Sequence, residues 1–247
     1  RQSPKDTSFV EDVETFIHYF EQNRVKVTLK NRWIPFKHLK MIEQNFKYKD
    51  SFTFLGKEEK RGEEPRKPYI NFIDKICRAE GFIYLDERGR INVDKLRVKE
   101  FSQKSYGERL FELLCIWFEK VDWKELVVRG FLESYCEVYQ EDFEIILWYL
   151  FHLGIDKKIT PEQMVYGLYD SKDIESEEGL VRILTTALRI ILLNHLRWLG
   201  IIKTQEKEIL DTGVYIIKEF WVTITGKRLI VRLIEYFIQK GKIKVSK

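Results

Sequence analysis

The sequence predicts a mainly α protein with short β-hairpins, in which two helix–hairpin–helix units are joined by a helical middle. Three observations predict it. Cap signals open a series of amphipathic runs, a helix–glycine–hairpin–helix order occurs twice, and breakers are scarce, with 13 Gly and 5 Pro in 247 residues. With 44% hydrophobic and 33% charged residues, the composition excludes a disordered or collagen-like chain. A chain of this length buries roughly 70–75% of its extended surface, so its core needs no disulfide or metal support.

The elements follow in order. Ser8-Phe9-Val10-Glu11 and Ser105-Tyr106-Gly107-Glu108 fit the capping box, and Thr160-Pro161-Glu162-Gln163 adds proline at the first helical position. These signals and the apolar spacing predict helices over 9–22, 35–46, 68–80, 94–101, 105–120, 124–138, 141–153, 161–170, 178–199 and 225–239. Extended segments are expected at Val25–Leu29, Phe82–Leu85, Arg90–Val93, Ile201–Thr204 and Tyr215–Thr223. Domain boundaries are placed at 1–103, 104–175 and 176–247.

The repeated order has a physical basis. A helix ends at Ala79-Glu80-Gly81, a strand starts at Phe82-Ile83, a turn runs through Asp86-Glu87-Arg88-Gly89-Arg90, and Asp94 caps the next helix. The second copy runs from Trp198-Leu199-Gly200 through Ile201-Ile202, a looser turn at Asp211-Thr212-Gly213 and Trp221-Val222-Thr223 to a helix capped by Thr225. Gly81 and Gly200 supply the left-handed residue that stops a helix, and the hairpin that follows is then a wing. Both units resemble winged-helix domains, and the resemblance implies a helix-turn-helix with an added hairpin. Separately, Val25–Asn31, Ile34-Pro35, Ala79–Ile83, Leu110-Phe111, Phe118 and Val121-Asp122-Trp123 are similar to the helical region of bacterial proteins that often carry a plasmid-type ORF-3-like module. That resemblance covers roughly residues 10–170, implies a bacterial, cytosolic, mostly helical protein, and carries no site residues with it.

Templates for chemistry fail on spacing. His18, His38, His152 and His195 never approach one another or a cysteine at ligand spacing, so no metal is expected. Thr225-Gly226-Lys227-Arg228 lacks the upstream glycine and loop length of a phosphate-binding loop. Acidic clusters at Glu141–Glu144 and Glu175–Glu178 sit where helix dipoles favour them. No enzyme activity and no cofactor are expected. Cys77, Cys115 and Cys136 each lie in an apolar run and read as buried thiols of a reducing cytoplasm. Residues 1–12 lack an apolar segment, so no signal peptide is expected, and Arg182, Arg189, His195 and Arg197 argue against a membrane span over 180–202.

Charge is segregated. Residues 24–67 hold 13 basic and 6 acidic groups, 131–180 hold 3 and 12, and 181–247 hold 13 and 5, although the net charge is only +4. In the first unit, helix 68–80 is expected to bury Ile70, Ile73, Ile76 and Cys77 and to present Asn71, Lys75 and Arg78. Arg88 and Arg90 lie in the hairpin turn, and Lys26, Lys30, Arg32 and Lys37 precede the helix, while Asp74, Asp86 and Glu87 count against an anionic ligand. These nine basic and amide residues form the candidate duplex-DNA interface, with a regulatory role as the corollary. Helix 178–199 is expected to be a central buried helix, and Glu206, Glu208 and Asp211 make the second hairpin unsuited to phosphate. The alternative expectation is a protein-interaction scaffold that uses the acidic middle, the second unit, the aromatic surfaces around Trp148-Tyr149 and Tyr166–Tyr169, or self-association; the basic tail Lys240, Lys242, Lys244 and Lys247 is equally a phosphate contact or a solubilising end.

Overall fold

The computed structural model describes residues 8–48, 67–127, 132–169, 178–208 and 215–243. The chain divides into two compact units, Arg1–Val128 and Arg129–Lys247. Both are mainly helical, and each carries one two-stranded antiparallel sheet.

In the first unit, α1 (Phe9–Gln22) turns Phe9, Val10, Val13, Phe16, Ile17 and Phe20 inward at helical spacing. Asp12 on the same helix is fully buried and accepts the Tyr69 hydroxyl at 2.8 Å and the Lys47 and Tyr48 amides at 2.6 and 3.0 Å. Those donors replace the water a buried carboxylate loses. α2 (Phe36–Asn45) and α3 (Pro68–Glu80) follow, then β1 (Ile83–Leu85), β2 (Ile91–Val93), α4 (Lys95–Ser102) and α5 (Tyr106–Lys120). A 3-10 turn, Trp123–Leu126, closes the described part of this unit. The segment before α2 also joins the hairpin. Lys26 bridges Arg90 in antiparallel sense, with Val27 N donating to Gly89 O at 3.0 Å and Ile91 N to Val25 O at 2.9 Å. The order across this small sheet is therefore 25–27, β2, β1.

The second unit contains α6 (Glu133–Glu141), α7 (Phe143–His152), α8 (Pro161–Leu168), α9 (Glu178–Leu188), a π turn at Arg189–Leu193, α10 (Asn194–Trp198), β3 (Ile202–Glu208), β4 (Tyr215–Val222) and α11 (Ile224–Gln239). Here too an extended segment joins the hairpin, this one between α7 and α8: Ile155 bridges Val222 and Ile159 bridges Phe220. The order is 155–159, β4, β3.

The two helix–strand junctions are built alike, bond for bond. Gly81 (φ 77°) donates to Arg78 O and Phe82 to Cys77 O, while Gly200 (φ 72°) donates to Arg197 O and Ile201 to Leu196 O. This pair of bonds is the Schellman stop, and only glycine adopts the left-handed φ without strain. After each hairpin, the residue capping the next helix bonds back to the residue after the glycine: Asp94 N to Phe82 O at 2.9 Å, Thr223 N to Ile201 O at 3.0 Å. The Asp94 carboxylate accepts from Leu96 and Arg97, and the Thr223 hydroxyl accepts from Gly226.

Several local expectations change. Ser105 and Thr160 form full capping boxes, but the Ser8 hydroxyl donates to the Asp12 carboxylate and makes no cap. Thr223, not Thr225, caps α11. The helix expected over 124–138 is a 3-10 turn followed by α6, and the strand expected at Val25–Leu29 pairs only through Lys26 before the chain turns at Leu29. The three cysteines are buried free thiols, and the 178–198 run is buried along most of its length. By length and composition alone Gly179–Trp198 (mean hydropathy 1.4) is long and apolar enough to cross a membrane, and 61% of its apolar window is buried inside the protein. The turn at Asp211-Thr212-Gly213, the cluster Glu175–Glu177, and Lys244 and Lys247 lie outside the described residues.

Candidate nucleic-acid interface

A cleft of about 570 Å³ opens in the first unit between the chain at 26–32 and the β1–β2 turn at 85–90. Lys26, Arg32, Arg88 and Arg90 line it, and all four are exposed. Backbone geometry brings them together. The Lys26–Arg90 bridge sets two of the cations side by side on neighbouring extended segments. Arg32 arrives because the chain folds back after Thr28: Thr28 N donates to Trp33 O at 2.9 Å, Arg32 N to Thr28 O at 3.0 Å, and Trp33 N to the Thr28 hydroxyl at 3.0 Å. Arg32 itself has φ 56°, the left-handed region that a non-glycine residue rarely enters.

Asp86 shapes the other wall. Its carboxylate accepts the backbone N–H of Arg90 at 2.8 Å and of Arg88 at 2.9 Å, which fixes the turn that carries both arginines. The Arg90 backbone bond, chiefly, holds this carboxyl below its ordinary range. Glu87 is the other acid of the cleft. None of Lys26, Arg32, Arg88 and Arg90 makes an ion pair within 4 Å among the described residues. By contrast Lys67, Lys75, Arg78, Lys104 and Lys120 of the same unit are each paired with a carboxylate.

Lys30 stands exposed in the turn after Thr28, and Lys37 stands exposed in the first turn of α2; neither lines the cleft. The three candidates on α3 depart from expectation. Asn71 is fully buried, with Nδ2 donating to the Glu125 carbonyl at 2.9 Å. The Lys75 ammonium pairs with the Glu125 carboxylate at 2.9 Å, its side chain 18% exposed. Arg78 Nε bonds both carboxylate oxygens of Asp74, at 2.8 and 2.7 Å, and its far nitrogen reaches Arg32 O at 3.4 Å. The Asn71–Lys75 part of the expected solvent face of α3 is thus engaged by the Trp123–Leu126 turn, Arg78 is held by Asp74 on the same helix, and α1 and α5 pack on the rest of the helix.

Sequence reasoning missed Leu29, which is 91% exposed in the cleft wall. The alternation Val25-Lys26-Val27-Thr28-Leu29 reads as one strand that buries Leu29, whereas the turn at Thr28 turns it outward. The only local hint was Asn31, a residue suited to turns. Among the described residues, no group of three His, Cys, Asp or Glu side chains converges as a metal site.

The second hairpin presents a different surface. Lys203 and Lys207 are exposed on β3, but Glu206 is ion-paired with Arg197, and Lys158 is engaged by Gln205 Oε1 at 3.3 Å and by the Trp221 ring, 5.1 Å to its centroid. Glu208 and Glu219 lie on the same two strands. No family model, curated protein or solved structure matches the chain.

Proposed function

We propose that this is a non-enzymatic nucleic-acid-binding protein that holds duplex DNA on the hairpin side of its first unit, and that both units are winged-helix domains. The fold part of the reading rests on element order. In each unit a helix, a short extended segment, two helical runs and a hairpin succeed one another, the second run of the second unit being α9, its π turn and α10, and the extended segment adds to the second hairpin strand. A helix capped after the hairpin completes the set in both.

The observation that carries the function is the convergence of Lys26, Arg32, Arg88 and Arg90 on one exposed cleft, with no carboxylate partner for any of the four among the described residues. Polyanions are the ligands that such a surface favours, because each phosphate neutralised releases a condensed counterion. Four such contacts give a log–log dependence of affinity on salt with a slope of about −3 to −4. The test is fluorescence anisotropy of the full chain on labelled duplex DNA across a salt series. Wild-type protein is expected to bind at low salt with that slope, and Arg88→Glu with Arg90→Glu to abolish binding. Failure to bind any duplex at low salt, or affinity unchanged by the double reversal, refutes the reading.

A further inference from the structure

Resting on that reading, we infer that the first unit grips the duplex by its phosphates and does not read bases through α3, so that its binding is nearly indifferent to sequence. Base readout needs polar side chains whose donors and acceptors are free to reach a groove edge. On α3 the residues of that type are already committed. Asn71 is buried against the Glu125 carbonyl, and Lys75 is held by the Glu125 carboxylate. Arg78 clamps Asp74, whose side chain is 1% exposed, so releasing it strands a buried charge.

The cover over α3 is part of the core and not a detachable flap. Trp123 is fully buried, its ring stacks on Trp117 with centroids 5.0 Å apart and planes at 17°, and its indole N–H donates to the Trp117 carbonyl at 3.2 Å. Trp117 in turn packs edge-on to Phe72 of α3, centroids 5.5 Å apart. Uncovering the Asn71–Lys75 face would therefore dismantle a stack of aromatic rings. The cations that line the cleft are long and solvated, on a strand edge and a hairpin turn, the type that contacts the phosphodiester backbone.

The experiment is selection from a randomised duplex pool with the full chain, followed by anisotropy on a GC-rich and an AT-rich duplex of about 20 base pairs. No enriched motif is expected, with affinities for the two duplexes within about threefold. Lys75→Ala is expected to leave both affinities within about twofold. Arg88→Ala with Arg90→Ala is expected to weaken both equally, by roughly tenfold or more, and to reduce the salt slope by about two. Circular dichroism and urea midpoints establish that each variant is folded. An enriched motif, a preference above about thirtyfold, or a preference lost in Lys75→Ala overturns the inference while leaving duplex binding in place. A preference lost only in the Arg88/Arg90 variant also overturns it, by assigning readout to the hairpin. Absence of binding to every duplex instead overturns the proposed function, and the inference falls with it.

Discussion

His195 sits in α10 with 2% of its surface exposed, its ring edge-on to Trp198 at 4.9 Å between centroids. Burial pulls its pKa from 6.5 down to about 3, against a smaller opposing effect of a bond with the Ile191 backbone. The unfolded chain takes up this proton near 6.5, the folded one only near 3. Stability from a neutral His195 is therefore complete above pH 6.5 and is lost as pH falls towards 3. Between pH 7 and 4 the wild type should lose stability faster than His195→Phe, by on the order of 1 kcal/mol per pH unit at most. Urea midpoints measure this, and parallel pH profiles for the two proteins would refute it. The same cost of burying polarity explains Asn71. Its amide looked like a solvent-facing residue, but a partner 54 positions away, the Glu125 carbonyl, makes its burial tolerable. Nothing local to residue 71 announces such a partner.

At the scale of elements, the glycine stops were legible because they obey local rules: a helix needs its last carbonyls satisfied, and glycine satisfies them at Gly81 and Gly200. Gly226 was not legible as a stop or a turn, since its role is to let α11 approach the backbone of the preceding junction. A Cβ there would lie 1.9 Å from the Ile201 carbonyl oxygen, and its own N–H donates to the Thr223 hydroxyl at 2.8 Å. Gly226→Ala should destabilise the second unit by about 3 kcal/mol. Gly107→Ala, where the added Cβ meets nothing within 4 Å, should change stability by under about 1 kcal/mol and in the stabilising direction. Thermal or urea unfolding of the two variants decides it, and equal effects would remove the argument from close approach. The short strands were legible as strands. The third member of the first sheet was legible as an extended segment at Val25–Leu29, although it pairs only at Lys26; that of the second, with bridges at Ile155 and Ile159, was not, because single-residue pairings leave almost no pattern of alternation.

At the scale of the whole chain, two units share an order of elements and differ in surface charge. Around the second hairpin, Glu206, Glu208 and Glu219 offset Lys203, Lys207 and Lys218. Lys203→Glu with Lys207→Glu should accordingly leave duplex affinity within about twofold of wild type, whereas Arg88→Glu with Arg90→Glu removes it. A large loss in the first pair would move the interface to the second unit.

By itself the sequence determined what short-range physics controls. Helix positions follow from apolar spacing, the boundaries from Ser105, Thr160, Asp94, Gly81 and Gly200, and the inward placement of the three cysteines from the apolar runs around them. It also showed where the basic residues of the first unit are concentrated, in 24–67 and in the turn at 86–90. Only the tertiary structure decided which of them share a surface: Lys26, Arg32, Arg88 and Arg90 meet because extended segments some sixty residues apart pair at Lys26 and Arg90. It also decided that α3 is covered, through Trp123 stacking on Trp117 and Glu125 engaging Asn71 and Lys75. Periodicity states that a helix has an apolar face, but the fate of its other face depends on which distant segment reaches it first.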